Sequence, residues 1–396
     1  MNALSRTGAV ARYASFAVVT ALGGCADKTV DVGDNVHKSA AAGTDAGPTY
    51  ATAAPDAGNE AGRAIPWRIV DQEATLVGFT VAAGRLYWVS VTSLANPDVT
   101  PTEYLKSCDV DDCRHSVRSA TLSFDKNLPL TISSASRVDV VANDASLFWP
   151  ALPEGQGVAS AARNDLASVT YHPARSTAAP TSITADDTTL VFIADGVVGG
   201  CVIDNCESSL KGLDVTSARD AGIVDVPRDV VLDGPYLYVS TDGGIVRAQK
   251  DGTGAQVIVK DQPFLDAIAL HGDSVYWTEH VSFGRVQSCP LTGCNGVPRV
   301  VAAGLPQPTY VTADDQYVYL TYPGVTWGTP PDPQFAERLL RCPIGGCDTP
   351  EVLLENEPID GPVVTDDKYI YYSARACASA SSLSNATCEY IAAIPK

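Results

Sequence analysis

Basic residues are scarce in this sequence, and they do not cluster. Its 396 residues include 27 lysines and arginines against 46 aspartates and glutamates, which gives a net charge of −19 at pH 7. A protein that reads nucleic-acid phosphates needs a basic face, so we expect no nucleic-acid partner. The excess of acidic residues serves solubility instead.

Long apolar runs and familiar catalytic motifs are lacking as well. After residue 25 no stretch approaches the roughly 20 apolar residues that a membrane-spanning helix needs, and helical periodicity is almost absent. Neither G-x-S-x-G nor H-E-x-x-H occurs, which are the motifs of α/β-hydrolases and of zinc peptidases. The sequence therefore favours an all-β fold and indicates no catalytic residue, cofactor or metal ion.

The N-terminus has the layout of a secretory signal. Arg6 and Arg12 form a basic region, an apolar run follows, and the run ends in Leu22-Gly23-Gly24-Cys25. This ending resembles the lipobox of bacterial lipoproteins. The resemblance implies that residues 1–24 are removed and that Cys25 carries the lipid. The alternative is an ordinary signal peptide with an unrelated cysteine.

Residues 25–64 predict a lipidated cysteine followed by a flexible spacer. Alanine, glycine, aspartate and threonine dominate this segment, and such a composition cannot bury enough apolar surface to fold. Acyl chains hold a protein at a membrane without spanning it. Lipoproteins with aspartate after the modified cysteine tend to stay in the inner membrane, whereas Ala26 here favours the outer membrane. We expect an exported protein, anchored to the cell envelope through its lipid alone.

Residues 65–396 repeat one pattern seven times. Each copy has a β-branched run, a polar turn and an aromatic run, which together are typical of a β-hairpin, and a second hairpin follows. The aromatic runs are anchored at Tyr87, Phe148, Val191, Tyr238, Tyr276, Tyr319 and Tyr371. Four-stranded repeats are typical of propeller blades, so the sequence predicts a seven-bladed β-propeller of antiparallel blades.

The two ends of this region predict how the ring closes. After the last anchor one strand-like run remains, CEYIAAIPK, which would be the third strand of blade seven. The run Trp67–Val70 precedes blade one and would supply the missing fourth strand of blade seven. This pairing would close the ring and remove a long open edge.

Blade five carries a family resemblance. Tyr276-Trp277-Thr278-Glu279 differs from the motif YWTD by one residue, and it lies in the frame IAxxxxxVYWTE followed by GRVxxC. This frame resembles β-propellers of the YWTD and NHL type, and the cysteine-bearing copies resemble lipoprotein propellers of environmental Gram-negative bacteria. The YWTD type usually has six blades, whereas seven anchors occur here. The resemblance implies a fold and no particular function, because propellers host many functions.

Ten of the 11 cysteines form local pairs, and only Cys25 is left over. The pairs are Cys108/Cys113, Cys201/Cys206, Cys289/Cys294, Cys342/Cys347 and Cys377/Cys388. The first four share the spacing C-x4-C and straddle the turn between the third and fourth strands of a blade. We expect them to lie opposite each other on neighbouring strands, about 4.5–5.5 Å apart at Cα, which suits a disulfide.

Two other uses of these cysteines were weighed. A redox dithiol usually has the spacing C-x-x-C, and structural zinc takes four nitrogen or sulfur ligands. The pairs here have neither feature, so disulfides are favoured, in keeping with an exported protein.

Candidate ligand-binding residues lie where strands two and three connect, on the face where propellers often bind ligands. Glu279 and His280 could form an acid–base pair or two metal ligands, or they could belong to a solvated loop. Arg228 and Asp266 precede first strands and could face the central channel.

The connections between strands two and three are long in blade one (about 90–102) and in blade six (about 321–337). Tyr322, Trp327 and Phe335 accompany prolines and glycines in the second of these. Exposed aromatic residues often mark a recognition surface, so these three predict one, unless they fold back over the blade.

Paired aspartates occur at 186–187, 314–315 and 366–367. Paired carboxylates are compatible with calcium binding. They fall, however, on the first hairpin turn of their copies, where aspartate is favoured for its hydrogen bonds to the local backbone. We therefore interpret them as turn residues.

Together these patterns predict an envelope-anchored lipoprotein propeller that acts as a binding module for a protein, a glycan or a small ligand. Two alternatives remain at this point. One is a metal-assisted propeller lyase or lactone hydrolase that uses Glu279 and His280, and the other is a purely structural envelope protein.

Overall fold

The fold consists almost entirely of β strands and short turns. The computed structural model describes residues 49–50, 66–73, 76–91, 102–122, 139–151, 157–176, 179–213, 215, 226–322, 337–357, 359–376 and 388–396. Helical segments within these ranges are one turn long at most, at Cys113–Ser116, Ile203–Asn205 and Cys206–Ser209. No helix in the described ranges is long and apolar enough to cross a membrane.

The strands form seven antiparallel sheets, called blades one to seven, each with strands A to D in this order. Blade one comprises Leu76–Ala82, Arg85–Val91, Glu103–Asp109 and Arg118–Leu122; blade two Val141–Ala142, Ser146–Pro150, Val158–Ala162 and Asp165–His172; blade three Ser182–Ala185, Thr189–Ala194, Val197–Val202 and Lys211–Gly212; blade four Pro227–Asp233, Tyr236–Thr241, Gly244–Gln249 and Gln256–Lys260.

The remaining blades follow the same order. Blade five comprises Leu265–His271, Ser274–Glu279, Gly284–Pro290 and Arg299–Leu305; blade six Tyr310–Ala313, Tyr317–Tyr322, Arg338–Pro343 and Glu351–Glu355; blade seven Ile359–Thr365, Tyr369–Ala376, Cys388–Pro395 and Trp67–Glu73. The seven-bladed, all-β architecture predicted from the sequence is confirmed.

Blade seven joins the two ends of the propeller. Its strand D, Trp67–Glu73, pairs antiparallel with strand C, Cys388–Pro395, with Trp67 opposite Ala393. The ring is therefore closed by an N-terminal strand, as the sequence predicted. A further short strand, Thr49–Tyr50, pairs with strand D outside it, so pairing extends into the segment that composition assigned to the spacer.

The A strands lie innermost. Each A strand contacts the A strands of the two neighbouring blades, and the contacts run around the whole ring, including the step from blade seven to blade one. The B, C and D strands follow outward in hydrogen-bonded order. Strand D is thus the outer edge of each blade.

The core lies between the blades. Alternate residues of a strand point to opposite sides of its sheet, so each B strand packs against both neighbouring blades. Tyr87 of blade one packs with Trp149 of blade two, whereas Trp88, next to Tyr87, packs with Tyr371 of blade seven. Fully burying a large apolar side chain stabilises a fold by about 1.5–3 kcal/mol, and the repeated aromatic anchors supply this contribution in successive blades.

Four of the predicted cysteine pairs are disulfide-bonded. They join Cys108–Cys113, Cys201–Cys206, Cys289–Cys294 and Cys342–Cys347. The Cα atoms of the bonded pairs are 4.8, 4.8, 5.3 and 5.6 Å apart, respectively. Disulfides persist in oxidising compartments, which indicates an exported protein. Cys25 and Cys377 lie outside the described residues, so the lipid site and the Cys377/Cys388 pair stay predictions.

One detail of the disulfide prediction is wrong. The second cysteine does not lie on strand D opposite the first. Cys113 and Cys206 begin one-turn helices, and Cys294 and Cys347 lie in turns ahead of their D strands. Four residues reverse the chain, but several more are needed before it reaches the pairing position, so the bond braces the C–D connection and not the D strand itself.

Candidate recognition surface

The topology gives the propeller two faces, which we name by their connections. The loop face carries the B–C connections within each blade and the D–A connections between blades. The turn face carries the A–B turns and the C–D connections. Every candidate ligand residue that the structure describes belongs to the loop-face half of its blade.

The paired aspartates lie on the turn face and organise the A–B turns. Asp314 Oδ1 accepts hydrogen bonds from the backbone N–H groups of Gln316 and Tyr317 at 2.9 and 2.8 Å. The hydroxyl of Tyr319 donates to its other oxygen at 2.9 Å. Partial burial raises the pKa of Asp314, but the hydrogen bond from Lys396 Nζ at 2.6 Å, together with these three bonds, lowers it to about 2.

The other two doublets use their first aspartate in the same way. Asp186 accepts from the N–H groups of Thr188 and Thr189, and Asp366 from those of Lys368 and Tyr369. Among the described residues no group of three or more histidines, cysteines or acids is placed to hold a metal ion. Turn chemistry therefore accounts for these doublets.

Exposed large apolar side chains are concentrated toward the loop face. Of the eight in the described part of the chain, five lie at or next to loop-face connections: Tyr171, Val197, Val226, Phe264 and Phe283. The other three lie on the turn face: Val202, Val297 and Val300. The two phenylalanines stand out, because 61% of Phe264 and 75% of Phe283 is exposed.

Phe264 and Phe283 flank His280 at the loop face of blade five. The backbone N–H of His280 donates to the carbonyl of Phe264 at 2.9 Å, which joins the D–A connection before blade five to the B–C turn of that blade. Phe283 lies in the same turn, next to strand C. Both phenylalanines have a positive φ, 46° and 58°, a conformation that costs a residue with a side chain about 1–2 kcal/mol.

The B–C turn of blade five is closely packed. Val281 accepts a backbone hydrogen bond from Gln307 of the next connection. A Cβ on Gly284 would lie 2.1 Å from the carbonyl oxygen of Glu279 and 2.9 Å from Cδ of Pro308, so only glycine fits. The turn that carries Phe283 is therefore held in place by its own backbone and by its neighbour.

Polar side chains lie around these phenylalanines. Arg228 Nε lies 2.5 Å from Asp242 Oδ1. His280 Nδ1 lies 3.9 Å from Asp266 Oδ2, too far for a hydrogen bond, and it is buried without a hydrogen-bond partner among the described residues. Arg228 and Asp266 belong to the A strands of blades four and five, and both are partly exposed near the loop face. The structure thus brings three of the predicted candidates, Arg228, Asp266 and His280, to one edge of the loop face.

Glu279 does not belong to that surface. Only 1% of its side chain is exposed, and its carboxylate accepts hydrogen bonds from Arg285 Nε at 2.8 Å and from Gln287 Nε2 at 2.5 Å. Glu279 ends strand B with its side chain turned into the sheet interface. The acid–base pair or shared metal site that the sequence suggested for Glu279 and His280 is therefore not formed.

Tyr322 is also buried, with 3% exposure, so its predicted place in an exposed aromatic patch is wrong. It ends strand B of blade six and packs among Leu305, Leu320 and Leu340, because the alternation of the strand directs it inward. Burial raises the pKa of its hydroxyl. Trp327 and Phe335 lie outside the described residues.

A shallow pocket of about 190 Å³ lies on the loop face of blade three. Its floor includes Phe192 and the cross-strand pair Gly199 and Gly212. A Cβ on Gly199 would lie 2.7 Å from Cε2 of Phe192, so glycine is required for the ring to cover the strand. Asp195 at the rim accepts a hydrogen bond from Ser176 at 2.5 Å.

Sequence reasoning missed one further ionisable group, Glu103, at the start of strand C in blade one. It is 2% exposed and lies at the junction with blade two, where Trp149 and Tyr171 approach it. Burial raises the pKa of Glu103 to about 8, an effect that the indole of Trp149 partly offsets. Nothing in the local sequence Thr-Glu-Tyr distinguishes this acid from an exposed one.

The blades and the loop face define the class of the protein: a disulfide-braced seven-bladed β-propeller with an aromatic loop face. No protein-family model matches the chain, and no curated protein matches it.

The solved structures that the chain resembles include the following three. A nidogen/laminin complex gives 16% identity over 58% of this chain and 85% of that chain, with a TM-score of 0.42. BamB from Moraxella catarrhalis gives 11% identity over 83% of this chain and 98% of that chain, with a TM-score of 0.43. The computationally designed Ika8 protein gives 12% identity over 81% of this chain and 96% of that chain, with a TM-score of 0.48. These scores add nothing to the blade topology, which defines the class by itself.

Proposed function

We propose that this chain is a recognition module of the cell envelope that binds its target at the loop face of blades four and five. The observation that carries the proposal is the pair Phe264 and Phe283. Apolar rings are costly to expose, and a positive φ adds strain. A rigid scaffold that presents two such rings on one face, with polar side chains beside them, is organised for contact with another molecule.

The proposal includes tethering at a membrane surface. Its support is the signal-like N-terminus that ends in Cys25, together with the disulfides, which suit an exported protein. A lipid on Cys25 and a spacer up to residue 64 would let the propeller reach its target while it stays attached. The excess of acidic over basic residues in the sequence supports a target other than nucleic acid.

The experiment compares a double variant of the loop face with a matched variant of the turn face. Phe264→Asn/Phe283→Asn removes both rings, and asparagine tolerates a positive φ. Val297→Asn removes the most exposed apolar side chain of the turn face, 78% exposed. The full chain and both variants are immobilised and exposed to an envelope extract of the producing cells, and the bound protein and bound sugar are measured.

We expect the double variant to retain at least fivefold less material than the full chain, and Val297→Asn to retain the same amount. Thermal unfolding of each variant checks that the fold is intact. Equal retention by all three proteins would contradict a recognition role for this surface.

A further inference from the structure

Blade three lacks two side chains that four other blades have beside the second residue of the aromatic anchor. Gly199 on strand C lies opposite Phe192, and Gly212 on strand D lies opposite Gly199. The equivalent positions hold Lys106 and Ser119 in blade one, Val246 and Val257 in blade four, Gln287 and Val300 in blade five, and Leu340 and Val352 in blade six. The two glycines leave space beside Phe192, and all three residues line the pocket of about 190 Å³.

The lining of this pocket is mostly apolar, and its size suits one ring. Its apolar side chains are Ala174, Phe192, Ala194, Val197 and Leu210. A cavity of about 150 Å³ with an apolar lining holds a benzene molecule. The pocket of blade three therefore fits one ring or one branched aliphatic group, with the polar end of the ligand at the mouth.

Two opposite charges stand at the mouth and do not pair with each other. Asp195 and Gly196 form the turn between strands B and C, with φ of 50° and 70°, as in a type I′ turn. Ser176, in the connection from blade two, donates a hydrogen bond to Asp195 Oδ2 at 2.5 Å and so fixes that connection against the turn. Arg175 precedes it and is exposed, like Asp195. Within the described part of the chain, the guanidinium of Arg175 forms no ion pair and Asp195 Oδ1 accepts no hydrogen bond.

The third charged residue of the lining serves the other side of the sheet. Lys211 lies on the same side of strand D as Leu213, which packs against blade four, because alternate residues share a side. The pKa of Asp251 in blade four is lowered, mainly by hydrogen bonds from Thr253 and to a smaller extent by the charge of Lys211. The mouth of the pocket therefore offers one cation, Arg175, and one anion.

A separated cation and anion above an apolar floor match a zwitterion with an apolar body. Guanidinium groups bind carboxylates through paired hydrogen bonds, and a carboxylate accepts hydrogen bonds from an ammonium group. We infer that the pocket of blade three binds a free α-amino acid with an apolar side chain. Its carboxylate lies on Arg175, its ammonium on Asp195 and its side chain over Phe192. This site is separate from the loop face of blades four and five and does not depend on the proposed function.

Calorimetry and saturation-transfer NMR on the purified full chain test the inference. The probes are free L-phenylalanine and L-leucine. Three compounds serve as controls: 3-phenylpropanoate lacks the ammonium group, 2-phenylethylamine lacks the carboxylate, and L-glutamate has a charged side chain. We expect both apolar amino acids to bind at least tenfold more tightly than each control. If neither binds, or if a control binds as tightly as they do, the inference is wrong.

Four variants locate the site. At Gly212 a Cβ would have Val197 Cγ1 as its nearest neighbour, at 3.9 Å, so Gly212→Val fits the strand and fills the pocket. We expect this variant, Arg175→Asn and Asp195→Asn each to weaken binding at least tenfold, since asparagine tolerates a positive φ. Asp187→Asn, an exposed acid on the turn face of the same blade, should leave the affinity unchanged. Thermal unfolding checks each fold. Binding that survives Gly212→Val or both asparagine variants at the mouth would place the ligand elsewhere and overturn the inference.

Discussion

The carbonyl of Phe264 accepts a 2.9 Å hydrogen bond from the backbone N–H of His280, and this bond extends the A–B ladder of blade five past its last strand pair. The chain that arrives from blade four is thereby fixed to the B–C turn of blade five. Phe264 and Phe283 consequently project from a continuous part of the sheet and not from two independent loops. Four predictions concern the blades that hold this surface and the strain that it carries.

Strand D of blade seven should carry much of the stability of the ring. Ile69 and Val70 in this strand are fully buried, and the strand covers the edge of Cys388–Pro395. We expect a chain that begins at residue 74 to melt at least about 5 °C lower than one that begins at residue 65, or not to fold, since each kcal/mol shifts Tm by about 1.5 °C in a chain of about 330 residues with an unfolding entropy of about 2.1 cal/mol/K per residue.

Differential scanning calorimetry on the two truncated chains measures this difference. The chain that begins at residue 65 is the matched control, because it also lacks Thr49–Tyr50. Equal melting temperatures would show that the ring does not depend on closure by the N-terminal strand.

The C–D disulfides should brace single connections and should not be essential to the fold. Closing so short a loop stabilises the folded chain by about 2 kcal/mol, because it lowers the entropy of the unfolded chain. We expect Cys108→Ala/Cys113→Ala to lower the free energy of unfolding by about this amount or less, with the native fold retained. Blades two and four, which have alanine or glutamine near these positions, already form without the bond.

Thiol titration of the denatured, unreduced chain provides the independent check. We expect no more than one free thiol, that of Cys25, and none if Cys25 carries a lipid through its sulfur. Two additional thiols would show that the Cys377/Cys388 pair stays reduced, and ten would remove the disulfides from this account altogether.

Sequence reasoning predicted the blades well because their signal is repeated. A strand that packs between two blades must be apolar on both sides, so the anchors recur with large aromatic residues wherever strand B lies. Tyr87/Trp88 and Tyr276/Trp277 are clear examples, all fully buried or nearly so. The same repetition revealed the strand borrowed from the N-terminus, because one blade was a strand short.

The site was harder to predict because its signals occur once. Phe264 and Phe283 are single aromatic residues in the polar stretches Gln-Pro-Phe-Leu-Asp and Val-Ser-Phe-Gly-Arg. The positive φ of these two residues could not be predicted from the sequence. Loop length drew attention to Tyr322 instead. The length of a loop does not show which residue at the end of a strand points inward. The alternating direction of side chains along strand B decides this for both Tyr322 and Glu279.

Stability should fall between mildly acidic and mildly basic pH because of Glu103. Its pKa is about 8 in the folded chain against 4.5 for the ordinary group. Between these values the folded chain keeps a proton that the unfolded chain releases, so the free energy of unfolding falls as pH rises from about 4.5 to about 8 and levels off above. Glu103→Gln keeps the neutral shape and should remove this slope.

Urea denaturation of the full chain and of Glu103→Gln at intervals from pH 5 to pH 9 measures the effect. Asp314 supplies a contrast, because its pKa is lowered to about 2 and its contribution is lost only as pH falls below the ordinary value of 3.8. Asp314→Ala should therefore leave the slope between pH 5 and pH 8 unchanged. An identical slope in Glu103→Gln would contradict the burial effect.

The two exposed phenylalanines should lower the stability of the protein. A side chain at positive φ is strained by about 1–2 kcal/mol, whereas glycine adopts this conformation without strain. Substitution by glycine therefore removes the strain, and the larger entropy of glycine in the unfolded chain cancels only part of this stabilisation. We expect Phe264→Gly and Phe283→Gly each to raise the free energy of unfolding by up to about 1 kcal/mol. Val297→Gly, where φ is not positive, should lower the free energy of unfolding.

Urea denaturation at one pH compares the three variants. A gain in stability that accompanies a loss of binding would show that the two rings serve binding and do not stabilise the fold. If both phenylalanine variants instead unfold more easily than the full chain, the rings support the loops and the recognition surface must be sought elsewhere.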